Sequence, residues 1–214
     1  MGGAEWQEGC AFDAELLAAS GGGEVLVLPT AAAYEHPDRA VDTARSWFAG
    51  LGGTVRELPV LARADASDEA TAATVRAARF VYLSGGSPLH LRSVLKETPV
   101  WDALVAAWED GAVVAGSSAG AMALCDPMVD PRGGALTVGL GLVENLAVVP
   151  HADGDVASHH RRTLELAGDD LVVAAIAERT ALLRDPDGSW RVAGEGGVTV
   201  LLGGREVGLD ALPG

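Results

Sequence analysis

The chain has 214 residues, 49% of them hydrophobic, enough for one domain with a sizeable buried core. Its 30 acidic and 15 basic residues leave a net charge of −15, a field that repels a phosphate backbone and argues against nucleic acid as a partner. No apolar run reaches the roughly 20 residues that span a bilayer, and the N-terminal MGGAEWQEGC lacks the basic and apolar stretches of a secretory signal.

In chain order, helical spacing over residues 11–19 precedes a Val/Leu-rich run at 24–28. A helix is then predicted over 39–51, a strand over 54–58, a helix over 68–78 and a strand over 79–83. Helical spacing returns at 88–95 and 101–109, followed by a strand at 112–115, a small-residue helix at 119–124, and strands at 146–149 and 172–176. This alternation predicts an α/β fold, a mostly parallel sheet flanked by helices on both faces, with sites at the carboxyl ends of the strands. Beyond it, short runs at 181–183, 189–192 and 198–202 are separated by the turn sequences DPDG and GEGG and read as an antiparallel hairpin region. No repeat, low-complexity tail or linker divides the series, so a single domain over residues 1–214 is expected, in a cytoplasmic protein with no membrane partner. Cys10 and Cys125, with no C-x-x-C pair, are too few for a disulfide framework or zinc and read as buried small hydrophobes.

The segment AVVAGSSAGAMA, residues 112–123, runs from a strand through Gly116-Ser117-Ser118-Ala119-Gly120 into a helix. This is G-x-S-x-G in the strand-turn-helix context of a nucleophile elbow, where a serine sits on a sharp turn and the flanking glycines leave room for it. Ser118 is the candidate nucleophile, and the Ala119 amide can donate to a developing oxyanion. An ordinary turn in a Gly- and Ala-rich chain is the plainer reading.

A serine needs a base, and five histidines are available: His36, His90, His151, His159 and His160. His151 directly follows the apolar run at 146–150, at a predicted strand end. His36 lies in a polar loop, His90 in a helix, and His159 and His160 open the segment HHRRTLELA. The base in turn needs a carboxylate to hold its tautomer. Glu178 lies just past the strand at 172–176; Asp153, two residues after His151, competes with it, and Asp130 is a weaker rival.

Several blocks together, GGAEW, VLVLPTAAA, VYLSGGSPLHL, AGSSAGAMAL, GLGLVENLAVVPHAD, HHRRTLEL and ERTALL, resemble peptidase family S51, the serine peptidases that include aspartyl dipeptidase (peptidase E) and cyanophycinase. The resemblance covers nearly the whole chain and implies a class I glutamine amidotransferase-like, flavodoxin-like fold. It implies a triad of Ser118, His151 and Glu178, spaced 33 and 27 residues apart. That order differs from the α/β-hydrolases, where the acid precedes the histidine. The resemblance also assigns the second oxyanion amide to the turn Gly85-Gly86. Relatives often continue that turn with Asn or Asp and then Gln or Thr, which help line the substrate pocket; here Ser87-Pro88 stands in their place. Val149-Pro150 likewise replaces the Asp-Gln beside the histidine of many cyanophycinases, which favours small peptides over polymer degradation. Arg161 and Arg162 match an arginine-bearing helix start in relatives, where a guanidinium could grip an acidic side chain or a peptide terminus; a basic turn paired with surrounding acids is the alternative.

The implied chemistry is acyl transfer: His151 takes the Ser118 proton, the Ala119 and Gly85/Gly86 amides hold the oxyanion, and water releases the acyl group. It calls for a small peptide substrate, with an acidic N-terminal residue as one option, and for no metal or organic cofactor. A metal cluster of His151, Asp153, Asp155, His159 and His160 fits no known ligand spacing and leaves the elbow unexplained. An amidase or esterase on the same triad, a non-catalytic binding domain, and a homodimer stay open. Relatives carry a hydrophobic strand before the GGAE-like turn, so either the sheet lacks that strand or the natural start lies upstream.

Overall fold

The computed structural model describes residues 1–153 and 160–214. Its contacts group the chain into two compact units, one of residues 11–120 and one of residues 1–10 with 121–214.

The 11–120 unit alternates helix and strand: α1 (Phe12–Ala19), β1 (Glu24–Leu28), a short 3-10 turn (Thr30–Ala32), α2 (Pro37–Gly50), β2 (Thr54–Glu57), α3 (Arg63–Ala66), α4 (Glu69–Arg76), β3 (Phe80–Leu83), α5 (Pro88–Leu95), α6 (Pro99–Glu109) and β4 (Val113–Gly116). The four strands form a wholly parallel sheet in the order β2-β1-β3-β4. All four residues of β3 are fully buried, so both faces of this strand are covered, as its unbroken apolar run requires. Helix α2 turns Val41, Ala44 and Phe48 inward at helical spacing, and the Phe48 ring meets Phe80 and Tyr82 edge-on at 5.8 and 6.2 Å. Buried Asp13 on α1 accepts a 2.9 Å hydrogen bond from the Trp47 indole on α2.

Helices α2 and α6 start two residues before the predicted positions, and α4, α5 and α6 carry side-chain caps not anticipated. Prolines occupy the first turns of α2, α5 and α6, where a missing N–H costs nothing. Asp68, Ser87 and Thr98 cap α4, α5 and α6 with side-chain oxygens. The short α3 was not expected; Asp65 builds it by accepting from the Leu61 and Ala62 amides.

Helix α7 (Ala119–Leu124) leads out of this unit. In the other unit, β5 (Cys125–Asp126) pairs with β8 (Val143–Glu144), and β6 (Met128–Val129) with β7 (Leu136–Thr137). Then come β9 (Leu146–Val149), α8 (Arg161–Ala167), β10 (Val172–Ile176), β11 (Thr180–Arg184), β12 (Trp190–Gly194), β13 (Val198–Leu202) and β14 (Arg205–Val207). Strands β9 and β10 are parallel and entirely buried, and β13 and β14 extend this sheet antiparallel.

The C-terminal region is antiparallel, as its turn sequences imply. Strands β11 and β12 form a hairpin across DPDG, and β13 pairs with β10. The reason is burial: Val200 packs into one apolar cluster with Leu146, Val148, Val172, Ala174 and Ile176. A second hairpin, β13–β14, turns on Gly203-Gly204, whose φ values of 57° and 69° suit a two-residue type I′ turn.

Candidate active site

In the 11–120 unit the parallel register aligns Leu28, Leu83 and Gly116 at one sheet edge, so the loops after β1, β3 and β4 emerge side by side. At β4 the chain reverses sharply. The Ser117 amide donates to the Leu83 carbonyl at 3.0 Å, the Gly120 amide donates to Ser117 O at 2.7 Å, and Ser118 between them has φ 47°. A left-handed serine costs about 1–2 kcal/mol and persists only where surrounding structure enforces it. Enforcement comes from close packing: a Cβ on Gly120 would strike the Leu83 carbonyl oxygen and lie 3.0 Å from Leu83 Cβ. Ala119, first residue of α7, is fully buried, while Ser118 is half-buried.

The Gly85-Gly86 turn is equally constrained. Gly86 has φ 133°, and a Cβ there would collide with the Ala31 carbonyl. The Ser84 amide donates to Leu28 O at 3.3 Å and the Ser87 amide to Ala31 O at 2.8 Å, holding the turn along the Thr30–Ala32 segment. Ser87 Oγ accepts from the His90 amide at 3.3 Å, so this residue caps α5.

In the other unit His151 and Glu178 come together. His151 lies two residues past β9, Glu178 two past β10, and His151 Nδ1 is 2.9 Å from Glu178 Oε1. An ionised carboxylate only accepts, so the proton of this bond resides on Nδ1 and Nε2 is the basic nitrogen of the neutral ring. Asp153 is placed differently: its Oδ2 accepts from the Glu178 amide at 3.2 Å, which steadies the acid's backbone. The turn is fixed further by Thr180 Oγ1, which donates to Glu178 O at 2.9 Å and accepts from the Gly196 amide at 2.9 Å. Asp130 is engaged within its own turn, where Arg132 binds both carboxylate oxygens at 3.0 and 2.6 Å and holds its carboxyl down to about 2.

The arginines sit at the start of α8. Arg161 pairs with Glu165 at 3.3 Å on an exposed helix face, and Arg162 is exposed beside Gly133. His160 directly precedes this helix; His159 and Asp155 of the metal alternative lie outside the described residues. Both cysteines are buried, and burial pushes the Cys125 thiol up to about 12.

One element escaped the residue-by-residue reading. Gly2 and Gly3, noted only as part of the GGAEW block, lie between the His151 and Glu178 loops: Gly2 O accepts from the His151 amide at 2.8 Å, and Gly3 O from the Arg179 amide at 3.0 Å. The adjacent glycines were the available signal, although nothing local says which distant loops they meet.

Known proteins share this frame. The model of peptidase family S51 matches residues 3–189. Cyanophycinases of Synechococcus elongatus and Thermosynechococcus vestitus are each 29% identical over 195 residues, covering 85% of this chain and 60% of theirs. The chain thus spans about three-fifths of the length of these curated relatives. The crystal structure of a peptidase from an acI-B1 Actinobacterium superposes with a TM-score of 0.84 at 30% identity, over 97% of this chain and 91% of that one. A putative peptidase E protein from Listeria monocytogenes, 18% identical with a TM-score of 0.61 over 90% of this chain and 92% of its own, shares the fold. With the family model matched from Gly3 to Ser189, the chain belongs to peptidase family S51.

Proposed function

We propose that the protein is a serine exopeptidase of small peptides, aspartyl dipeptidase-like or cyanophycinase-like, working through Ser118, His151 and Glu178. The observation that carries this reading is the 2.9 Å pairing of His151 Nδ1 with Glu178 Oε1, on a chain whose elbow serine is held left-handed. Glu178 keeps the Nδ1 proton in place, so Nε2 takes the Ser118 proton as the hydroxyl attacks the peptide carbonyl. The Ala119 and Gly85/Gly86 amides receive the oxyanion, and the protonated imidazole delivers its proton to the leaving amine. Water, deprotonated by the same nitrogen, then hydrolyses the acyl-enzyme. The reading takes residues 1–214 as a single catalytic domain.

For an acidic N-terminal residue, Arg162 is the guanidinium we assign to the substrate carboxylate, since Arg161 already faces Glu165. Ser87 Oγ accepts from the His90 amide and keeps its own proton to donate to a substrate carbonyl.

A panel of Asp-X, isoaspartyl and neutral dipeptides, with a simple phenyl ester alongside, tests this. The expected result is turnover of acidic dipeptides, lost by about 10⁴-fold or more in Ser118→Ala, with the acidic preference abolished in Arg162→Ala. Cleavage of the ester alone would make the protein an esterase on the same triad. A Ser118→Ala variant as active as wild type would overturn the serine mechanism.

A further inference from the structure

The segment before Ala4 makes backbone contacts to both loops that carry the base and the acid. Gly2 O accepts from the His151 amide at 2.8 Å, the Gly2 amide donates to Thr180 O at 3.0 Å, and Gly3 O accepts from the Arg179 amide at 3.0 Å. The loops also meet directly, through the Ala152 amide on Ile176 O at 3.0 Å. His151 and Arg179 both have left-handed backbones, φ 54° and 50°, which bulky residues adopt only when neighbours impose it.

Sterics sharpen the point. A Cβ on Gly2 would strike the carbonyl oxygens of Ile176 and Ala177, so this residue lies flat against the strand that leads to Glu178. A Cβ on Gly3 would meet no backbone first but the imidazole itself, overlapping Cε1 and lying 2.7 Å from Nδ1 and 3.0 Å from Nε2. The whole reacting edge of the ring therefore rests on the bare α-carbon of Gly3, whose φ of 121° is open to glycine alone. His151 is half-exposed, and its ring is held by the Glu178 carboxylate on Nδ1 and by the Gly3 backbone beside it.

We propose that Gly3 is a positioning residue of the catalytic base: its backbone forms the surface that holds the His151 imidazole in line with Glu178, and its missing side chain is what admits the ring there. This rests on the Ser118–His151–Glu178 reading. Any side chain at position 3 pushes Nδ1 away from Glu178 Oε1 and turns Nε2 off the line of proton transfer, and a displacement of about 1 Å at such a group costs on the order of 100-fold in rate.

The test compares Gly3→Ala, His151→Ala and the double variant for kcat and KM on the best dipeptide, the rate of Ser118 modification by a fluorophosphonate, and thermal melting. Gly3→Ala is expected to lower kcat and the modification rate by about 100-fold while KM stays within about threefold. In the His151→Ala background the same change should cost nothing further, because the group it acts through is gone. Gly139→Ala, whose Cβ would strike the Cys125 carbonyl in the same unit, serves as a packing control that lowers the melting temperature without this rate pattern. Wild-type kcat in folded Gly3→Ala, or costs that multiply in the double variant, would overturn the proposal. If Gly3→Ala does not fold, melting decides: the double variant must melt above Gly3→Ala, since the clashing ring has been removed, and no recovery refutes the assignment. A His151→Ala variant with wild-type kcat would instead refute the triad itself.

Discussion

At the scale of single residues, the two carboxylates near His151 are distinguished by what they accept. Glu178 Oε1 faces the ring nitrogen, whereas Asp153 Oδ2 takes the amide proton of Glu178 itself. Glu178→Gln keeps the shape but offers an amide that can donate, which favours the wrong imidazole tautomer. Its kcat should fall by about 10³–10⁴-fold. Asp153→Asn retains an oxygen acceptor for the Glu178 amide and should cost only a few-fold. Steady-state kcat on the best dipeptide decides, and a larger loss at Asp153 would reverse the assignment. The sharp turn at Ser118 and the meeting of His151 with Glu178 could be anticipated from sequence because each follows a predicted strand end. The choice between Glu178 and Asp153 could not, since it depends on which oxygen points at the ring. The contact of Gly3 with His151 was beyond reach for the same reason: periodicity reports a residue's own element, not the far loop it touches.

At the scale of elements, most strands and helices stand within two residues of their sequence-based bounds, and the shifts have local causes. Prolines in the first turn extend α2 and α6 backwards, because proline costs nothing where the helical N–H has no partner. Two-residue strands such as β5 to β8 carry too few residues to show alternation, so they were invisible. The pairing of β13 with β10 was not legible in the sequence, because turn sequences mark where a chain bends but not which strand it bends toward. Caps are the element-scale feature with the clearest energetic consequence. Buried Thr98 accepts from the Trp101 amide at 3.4 Å and donates to Leu95 O at 2.6 Å, closing α5 and opening α6 together. Thr98→Ala should therefore destabilise the protein by about 1–2 kcal/mol, read by denaturant unfolding. A change below about 0.3 kcal/mol would show that water replaces both bonds at no cost.

At the scale of the whole molecule, the alternation of apolar runs was enough to predict a largely parallel α/β fold, because buried strands and crossover helices leave a strong pattern. It gave no hint that residues 1–10 belong with residues 121–214, a grouping made by long-range backbone bonds such as Gly2 to Thr180. The net charge of −15 means that an acidic substrate would approach against the field of the protein, leaving capture to local guanidinium groups. The chain belongs to peptidase family S51, and the function proposed above assigns the elbow, the glycine turn and the histidine–glutamate pair to one chemistry, the acylation of Ser118. Mass spectrometry of the protein after exposure to a fluorophosphonate tests that chemistry most directly. A single adduct mapped to Ser118 is expected, absent in Ser118→Ala and formed at least about 100-fold more slowly in His151→Ala. An unlabelled, folded wild-type protein, or an adduct on another residue, would contradict it.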